Sequence, residues 1–164
     1  THLDDDHSKF MDEIPSKLRY TTPFSPITEA RVLRKGNSLR IGDVSMEVLS
    51  PERDMGNHND NSLVLRVIKD GRTFLFAGDV SGKNHQVSWN EGVDILKFSH
   101  HGSIHSLDPL RMHSLKPQGT VLSYGRNNFG HPSPEVIEFF SEGYIHHTFL
   151  HGNLQITEKG YRLY

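Results

Sequence analysis

The chain has 164 residues, eighteen basic against twenty acidic side chains for a formal charge of −2, and no cysteine. That length suits one domain, residues 1–164, with a core of ordinary size. The charge excludes a basic field that would by itself draw in nucleic acid or an anionic membrane, and the absence of thiols leaves nitrogen and oxygen as the only donors for a metal site.

The first stretch, Thr1-His2-Leu3-Asp4-Asp5-Asp6-His7, is dense in ligating side chains, with no methionine and no apolar strand ahead of it. An upstream segment is therefore expected. From Ser8 to Tyr20, the residues Phe10, Met11, Ile14 and Leu18 fall at helical spacing, with Pro15 marking a break or a fresh helix start. Thr22 to Pro26 reads as a loop. Extended segments follow over Ala30 to Leu33, Leu39 to Ile41 and Val44 to Leu49, the last two joined at Gly42-Asp43. Ser50 to Ser62 is polar and loop-like. Leu63 to Ile68 and Thr73 to Ala77 then form a hairpin around Asp70-Gly71 whose second strand runs out at Asp79.

From Val93 onward strands and helices alternate. A strand over Val93 to Phe98 precedes a helix over Asp108 to Leu115, and a strand over Thr120 to Tyr124 precedes a helix opened by Ser133 as N-cap and Pro134. Strands over Ile145 to Leu150, Leu154 to Thr157 and Tyr161 to Tyr164 end the chain. Hairpins followed by alternating units predict an α/β sandwich with a mixed sheet. No apolar run approaches the roughly 18 residues needed to cross a bilayer, and no signal-peptide pattern is present. Of the twelve histidines, His113, His146, His147 and His151 read as solvated surface.

Three strand-like or strand-following stretches, the chain start, Asp79 and the His100-His101 pair, present histidines and aspartates. His2, Asp4, Asp6 and His7 form H-x-D-x-D-H, in which His2 and Asp4 can share one ion while Asp6 and His7 reach a second. Alone, the Asp4 to Asp6 run would be a solvated acidic loop. Asp79 and the His100-His101 pair at other strand ends change that reading, because a carboxylate between two ions and an imidazole beside it would complete a dinuclear site. Two ions at such spacing can hold a hydroxide and clamp both the attacking and the leaving oxygen of a phosphodiester. The loop His58-Asn59-Asp60-Asn61 offers another donor, or else its asparagines only order the backbone. His131 precedes the second helix start and suits a phosphate contact or a proton donor to the leaving oxygen. Ser103 is a further phosphate candidate, and Tyr124, Arg126 and Asn127 lie on a loop near the same strand ends.

Taken in order, these motifs carry a resemblance. H-x-D-x-D-H, N-D-N-S-L-V-L at Asn59 to Leu65, F-L-F-A-G-D at Phe74 to Asp79, D-I-L-K-F-S-H-H-G-S at Asp94 to Ser103 and G-H-P-S-P-E-V at Gly130 to Val136 resemble the metallo-β-lactamase-fold domain of the DNA-uptake competence protein ComEC and its stand-alone relatives. The likeness runs over most of the chain from Ile41 to Gly152. It implies an αββα sandwich of mixed sheets with a dinuclear centre at one edge. His2 and Asp4 would hold one metal, Asp6 and His7 the other, with Asp79 bridging and His100, or alternatively His101, as the strand-end ligand.

The implied activity is metal-dependent hydrolysis of phosphodiesters, with DNA as substrate and Asp6, Asp79 and His131 as catalytic residues, while Asn59, Asn61, Ser103 and His131 would bind substrate. Rival activities are hydrolysis of a small ester, lactone or amide, and a metal-stabilised binding module without turnover. The implied cofactors are two divalent ions, manganese or zinc, with magnesium a third candidate. The implied partners are nucleic acid and, in a longer parent chain, a tethered membrane channel at the bacterial inner membrane. Asp4 stands where many relatives carry histidine, which shifts preference from zinc toward manganese or magnesium. Ser8-Lys9-Phe10 replaces an Ile-Gly-Gly type turn. Upstream strands that would supply a supporting aspartate are missing, so an incomplete first sheet is expected.

Overall fold

The computed structural model describes residues 2, 4–9, 11–84, 87, 92–157 and 160–163, the last four as backbone only. Thr1, Leu3, Phe10 and Tyr164 lie outside the described residues.

The helix expected from Ser8 to Tyr20 does not form. A single helical turn, α1 (Asp5–Ser8), precedes bends and turns. Ile14 and Leu18 are 61% and 49% exposed, so a helix there would have no core against which to bury its apolar stripe. Two short strands, β1 (Tyr20–Thr21) and β2 (Arg31–Val32), then pair in parallel.

The main sheet begins with an antiparallel meander of β3 (Ser38–Ile41), β4 (Val44–Ser50), β5 (Val64–Lys69) and β6 (Arg72–Phe76). Asp70 and Gly71 both take positive φ, 51° and 73°, which suits a two-residue turn that follows the twist of its strands. Three parallel strands extend the sheet: β7 (Ile95–Lys97), β8 (Gly119–Leu122) and β9 (Tyr144–His147). The helices α2 (Pro109–Leu115) and α3 (Pro134–Phe139) lie between them in sequence. Each helix starts with proline behind a capping side chain: Asp108 accepts from the Leu110 and Arg111 N–H groups, and Ser133 from that of Val136.

The strand expected to run to Leu150 instead stops at His147 and turns into α4 (Thr148–His151). The Thr148 hydroxyl accepts the Tyr124 N–H at 2.9 Å and donates to the Tyr124 carbonyl at 3.0 Å, which ties this turn to the end of β8. A hairpin of β10 (Leu154–Thr157) and β11 (Gly160–Leu163) ends the described chain.

Helices cover one face of the seven-stranded sheet. There Leu75, Leu96, Phe98 and Leu122 pack with Met112, Leu115, Val136 and Phe140, and the Phe98 and Phe140 rings meet edge to face at 5.4 Å. The opposite face is only partly covered: Phe76, one residue after buried Leu75, is 43% exposed. Between that face and β10 lies a cleft of about 510 Å³ lined by Phe74, Phe76, Ile95, Lys97, Val121 and Leu154, among others.

One histidine reading is corrected here. His146 is completely buried, because strand alternation in β9 turns it inward, and its Nε2–H donates to the Gly152 carbonyl at 3.0 Å. His147 is half-buried, with Nδ1 3.1 Å from the Tyr124 hydroxyl, whereas His113 and His151 are exposed as expected. Among the described residues, no helix is long and apolar enough to cross a membrane.

Candidate metal centre

Parallel strands discharge their loops at one edge, so the ends of β6, β7 and β8 bring distant residues together. β6 leads to Asp79, β7 to His100 and His101, and β8 to the loop that carries Tyr124 and His131. β5 is antiparallel to β6, so its start, just after Ser62, lies at the same edge. The first residues of the chain complete the cluster.

Asp79 is the hub. Its carboxylate is buried, and Oδ2 lies 3.2 Å from His7 Nε2, 3.5 Å from His101 Nε2, 3.9 Å from His2 Nε2 and 4.0 Å from His100 Nε2. Burial would push this carboxyl up, but the hydrogen bonds and charges of His101 and His7 hold it well below the usual carboxylate range. His101 is shifted in the complementary direction, raised chiefly by its bond to Asp79 and lowered in part by burial. His100 and His2 are pushed down, mainly by burial.

Two sets of donor atoms lie close enough to share an ion: His2, His7 and Asp79, and Asp6, His7 and His101, each within 4.8 Å of one another. His7 belongs to both. Asp6 and His7 share a donor set and Asp4 lies half-exposed 3.4 Å from His2 Nε2, while α1 also brings His7 to Asp79. Asp6 reaches His101 Nε2 at 3.1 Å. Of the two adjacent histidines, His101 enters a donor set and His100 enters neither among the described residues.

The donors fit a divalent cation. Asp79 Oδ1 is buried without a hydrogen-bond partner among the described residues, an arrangement that leaves a charged oxygen uncompensated unless a cation meets it. His7 Nε2 and His101 Nε2 approach to 3.3 Å, a close meeting of two ring nitrogens that a shared cation would satisfy. His101 donates Nδ1–H to the Ser123 carbonyl at 2.7 Å, which orients the ring and leaves Nε2 for the centre. A cation at His101 Nε2 would compete with protonation there, which Asp79 favours. Nitrogen and carboxylate donors without sulfur suit zinc or manganese.

The backbone here is strained. His100 and His101 both have positive φ, 48° and 54°, each at a cost of about 1–3 kcal/mol, and this double left-handed step is what aims two consecutive imidazoles at one carboxylate. The His100 N–H donates to the Gly78 carbonyl at 3.1 Å, and the Ser99 hydroxyl donates to the Val80 carbonyl at 2.6 Å.

One residue at the centre escapes sequence reasoning. Ser62 is fully buried; its Oγ lies 3.0 Å from His2 Nδ1 and accepts the Asp79 N–H at 3.1 Å. When Nδ1–H donates to Ser62, His2 keeps its Nε2 lone pair for the centre. Gly78 makes room for it, since a Cβ there would come within 2.6 Å of Ser62 Cβ. The available signal was a small polar residue between N-D-N and a buried strand. Ser62→Ala is expected to weaken metal affinity about 10–100-fold, read by competition with a chromogenic chelator, while the fold survives.

The other sequence candidates are placed as follows. Asn61 is buried, accepts the Met55 N–H and donates to Asp54; Asp60 accepts from the Ser81 N–H and hydroxyl. Asn59 accepts the Ser62 N–H through its carbonyl. His58 is exposed, and none of residues 58–61 enters a donor set. Ser103 is fully buried and its hydroxyl accepts the His105 N–H at 3.3 Å. His131 lies across the edge, its ring 5.3 Å from that of His100, with Nδ1 buried and without a hydrogen-bond partner among the described residues. Burial, then the nearby His100 and His101, push His131 down. Half-buried Lys97 is pushed down by burial and pulled up by Asp79 and Asp6.

No family model matches the chain. Over 112 residues, 65% of this chain, it is 34% identical to ComE operon protein 3 of Bacillus subtilis (strain 168), and it spans only 14% of that protein's length. Among solved structures, a point mutant of CmlA β-hydroxylase superposes with TM-score 0.51 at 13% identity, over 73% of this chain and 32% of that one. The metallo-β-lactamase fold protein YhfI from Bacillus subtilis gives TM-score 0.47 at 15% identity, over 89% of this chain and 59% of that one. The fold is a mixed α/β arrangement of the metallo-β-lactamase type. Within that class, the chain is similar over those 112 residues to ComE operon protein 3, and it carries candidate divalent-metal ligands at one sheet edge.

Proposed function

We propose that the chain is a metal-dependent hydrolase of phosphodiesters, with DNA as the substrate that its likeness to a competence-operon protein supports. The observation that carries this reading is the convergence of four imidazoles within 4.0 Å of Asp79 Oδ2, at an edge open to a cleft. Divalent ions bound there would activate water and neutralise charge developing on the phosphodiester oxygens.

The protein's own groups do the rest. Asp79 and His7 hold the two donor sets in one frame, while Ser62 and the Ser123 carbonyl fix ring orientations. Asp6 faces the same cleft as His101 and His131. Burial lowers the pKa of His131 and so favours the neutral ring, which lines the cleft and can contact a phosphate oxygen or relay a proton to the leaving oxygen. Asp4, half-exposed beside His2, can close the first donor set when an ion is bound.

The test uses protein stripped of metal and refilled with manganese, zinc or magnesium, assayed on bis(p-nitrophenyl) phosphate and on single-stranded DNA. Cleavage restored by one of these ions is the expected result. Binding of metal without cleavage of either substrate would overturn the phosphodiesterase reading and leave a small ester, lactone or amide, or a binding role.

A further inference from the structure

We propose that the loop after β8 is a nucleobase-stacking platform, with Phe129 as its outer face, so that the substrate is single-stranded nucleic acid gripped by a base as well as by its phosphates. This rests on the phosphodiesterase reading of the adjoining centre.

A cleft of about 390 Å³ has Asp6 and His101 among its lining residues, together with Tyr124, Arg126, Asn127, Phe129 and His131. Metal donors and the aromatic loop therefore share one cavity. Phe129 is 83% exposed and belongs to neither apolar core cluster, so folding does not explain its ring. It lies nearly parallel to His131, at 25° with centroids 6.2 Å apart. His131 in turn meets His100 edge to face at 5.3 Å. A series of rings thus leads from open solvent to the strand-end histidines, and a base placed on Phe129 would leave its phosphate beside them.

The loop is braced for this task. Asn127 Oδ1 accepts the N–H groups of Phe129 and His131, at 3.1 and 3.2 Å, while its Nδ2 donates to the Gly125 and His131 carbonyls at 3.0 and 2.7 Å. One side chain therefore fixes the backbone that carries both rings before ligand arrives, which lowers the ordering cost of binding. Arg126 on the same loop supplies a local positive charge that the whole chain, at −2, lacks. Stacking on an exposed ring accepts any base, because every base has a π-face, but it requires an unpaired one. A paired duplex would not offer that face.

The experiment measures binding, not turnover, with manganese-loaded protein and two fluorescein-labelled phosphorothioate strands of equal length that resist cleavage, one of thymidines and one abasic. The intact protein is expected to hold the thymidine strand about tenfold more tightly. Phe129→Ala should erase that preference while leaving abasic affinity unchanged, and Phe129→Trp should keep it. Arg126→Gln should weaken both strands alike and flatten the salt dependence. Equal affinity of the intact protein for the two strands, no binding of either, or an unaltered preference in Phe129→Ala would each overturn the platform. Hydrolysis of bis(p-nitrophenyl) phosphate by the same preparations separates the two readings: its loss with the base preference intact would sink the phosphodiesterase, and its retention without a base preference would sink only the platform.

Discussion

Asp79→Ala is expected to remove metal-dependent hydrolysis to the limit of detection and to weaken metal binding by well over about 100-fold, since even outer supporting groups cost 10–100-fold. Its carboxylate is the only group that meets His2, His7, His100 and His101 among the described residues, so no neighbour can take over. Calorimetric titration and metal analysis after dialysis provide the check. Retention of full metal content and activity by the variant would remove Asp79 from the centre.

The same substitution changes the pH dependence of the metal-free protein. Asp79 is held below its ordinary value, so its contribution to stability is present above about pH 4 and fades as pH falls through the lowered folded value. His101 is raised, so its contribution is full below about pH 6.5 and is lost as pH rises through its folded value. Together they predict a stability maximum for the metal-free protein in mildly acidic solution. Asp79→Ala should flatten that maximum in a series of thermal melts.

The strand ends were readable because apolar runs stop at residues able to ligate a metal: Phe74 to Ala77 before Asp79, and Val93 to Phe98 before the His100-His101 pair. Parallel strands then deliver those loops to one edge, so a linear pattern becomes a spatial cluster. The choice between His100 and His101 was not readable, because it depends on two consecutive left-handed residues that no propensity of histidine predicts. At the start of the chain the contact of His7 with Asp79 was unreadable for a related reason. Residues two apart share a face only in extended backbone, and α1 breaks that period after Asp4, so His7 joins Asp4 beside His2 and also reaches Asp79. Ser62 escaped because its role depends on the close approach of Gly78, a tertiary fact. His146 escaped because burial in β9 follows strand register, and polarity alone does not report register.

Gly102→Ala is expected to cost about 2–5 kcal/mol of stability, the sum of a left-handed backbone penalty and overpacking. Gly102 has φ of 93°, and a Cβ there would lie 2.4 Å from Pro132 Cβ and 2.8 Å from Pro132 Cα. The Pro132 backbone cannot give way cheaply, because the next residue's N–H, that of Ser133, donates to the Gly102 carbonyl at 2.9 Å and the Ser133 side chain caps α3. This contact is also the point where the loop carrying His100 and His101 leans on the loop carrying His131. An added methyl would therefore push the strand-end histidines and His131 apart without removing any polar side chain of the centre. Urea unfolding should show the lost stability. At temperatures where the variant is still folded, hydrolysis should fall by about tenfold or more, while metal affinity, which rests on Asp79 and its histidines, should fall less. Equal losses of metal binding and hydrolysis would mean that the methyl disturbs the donor sets themselves, and that the separation between His100 and His131 does not limit the reaction.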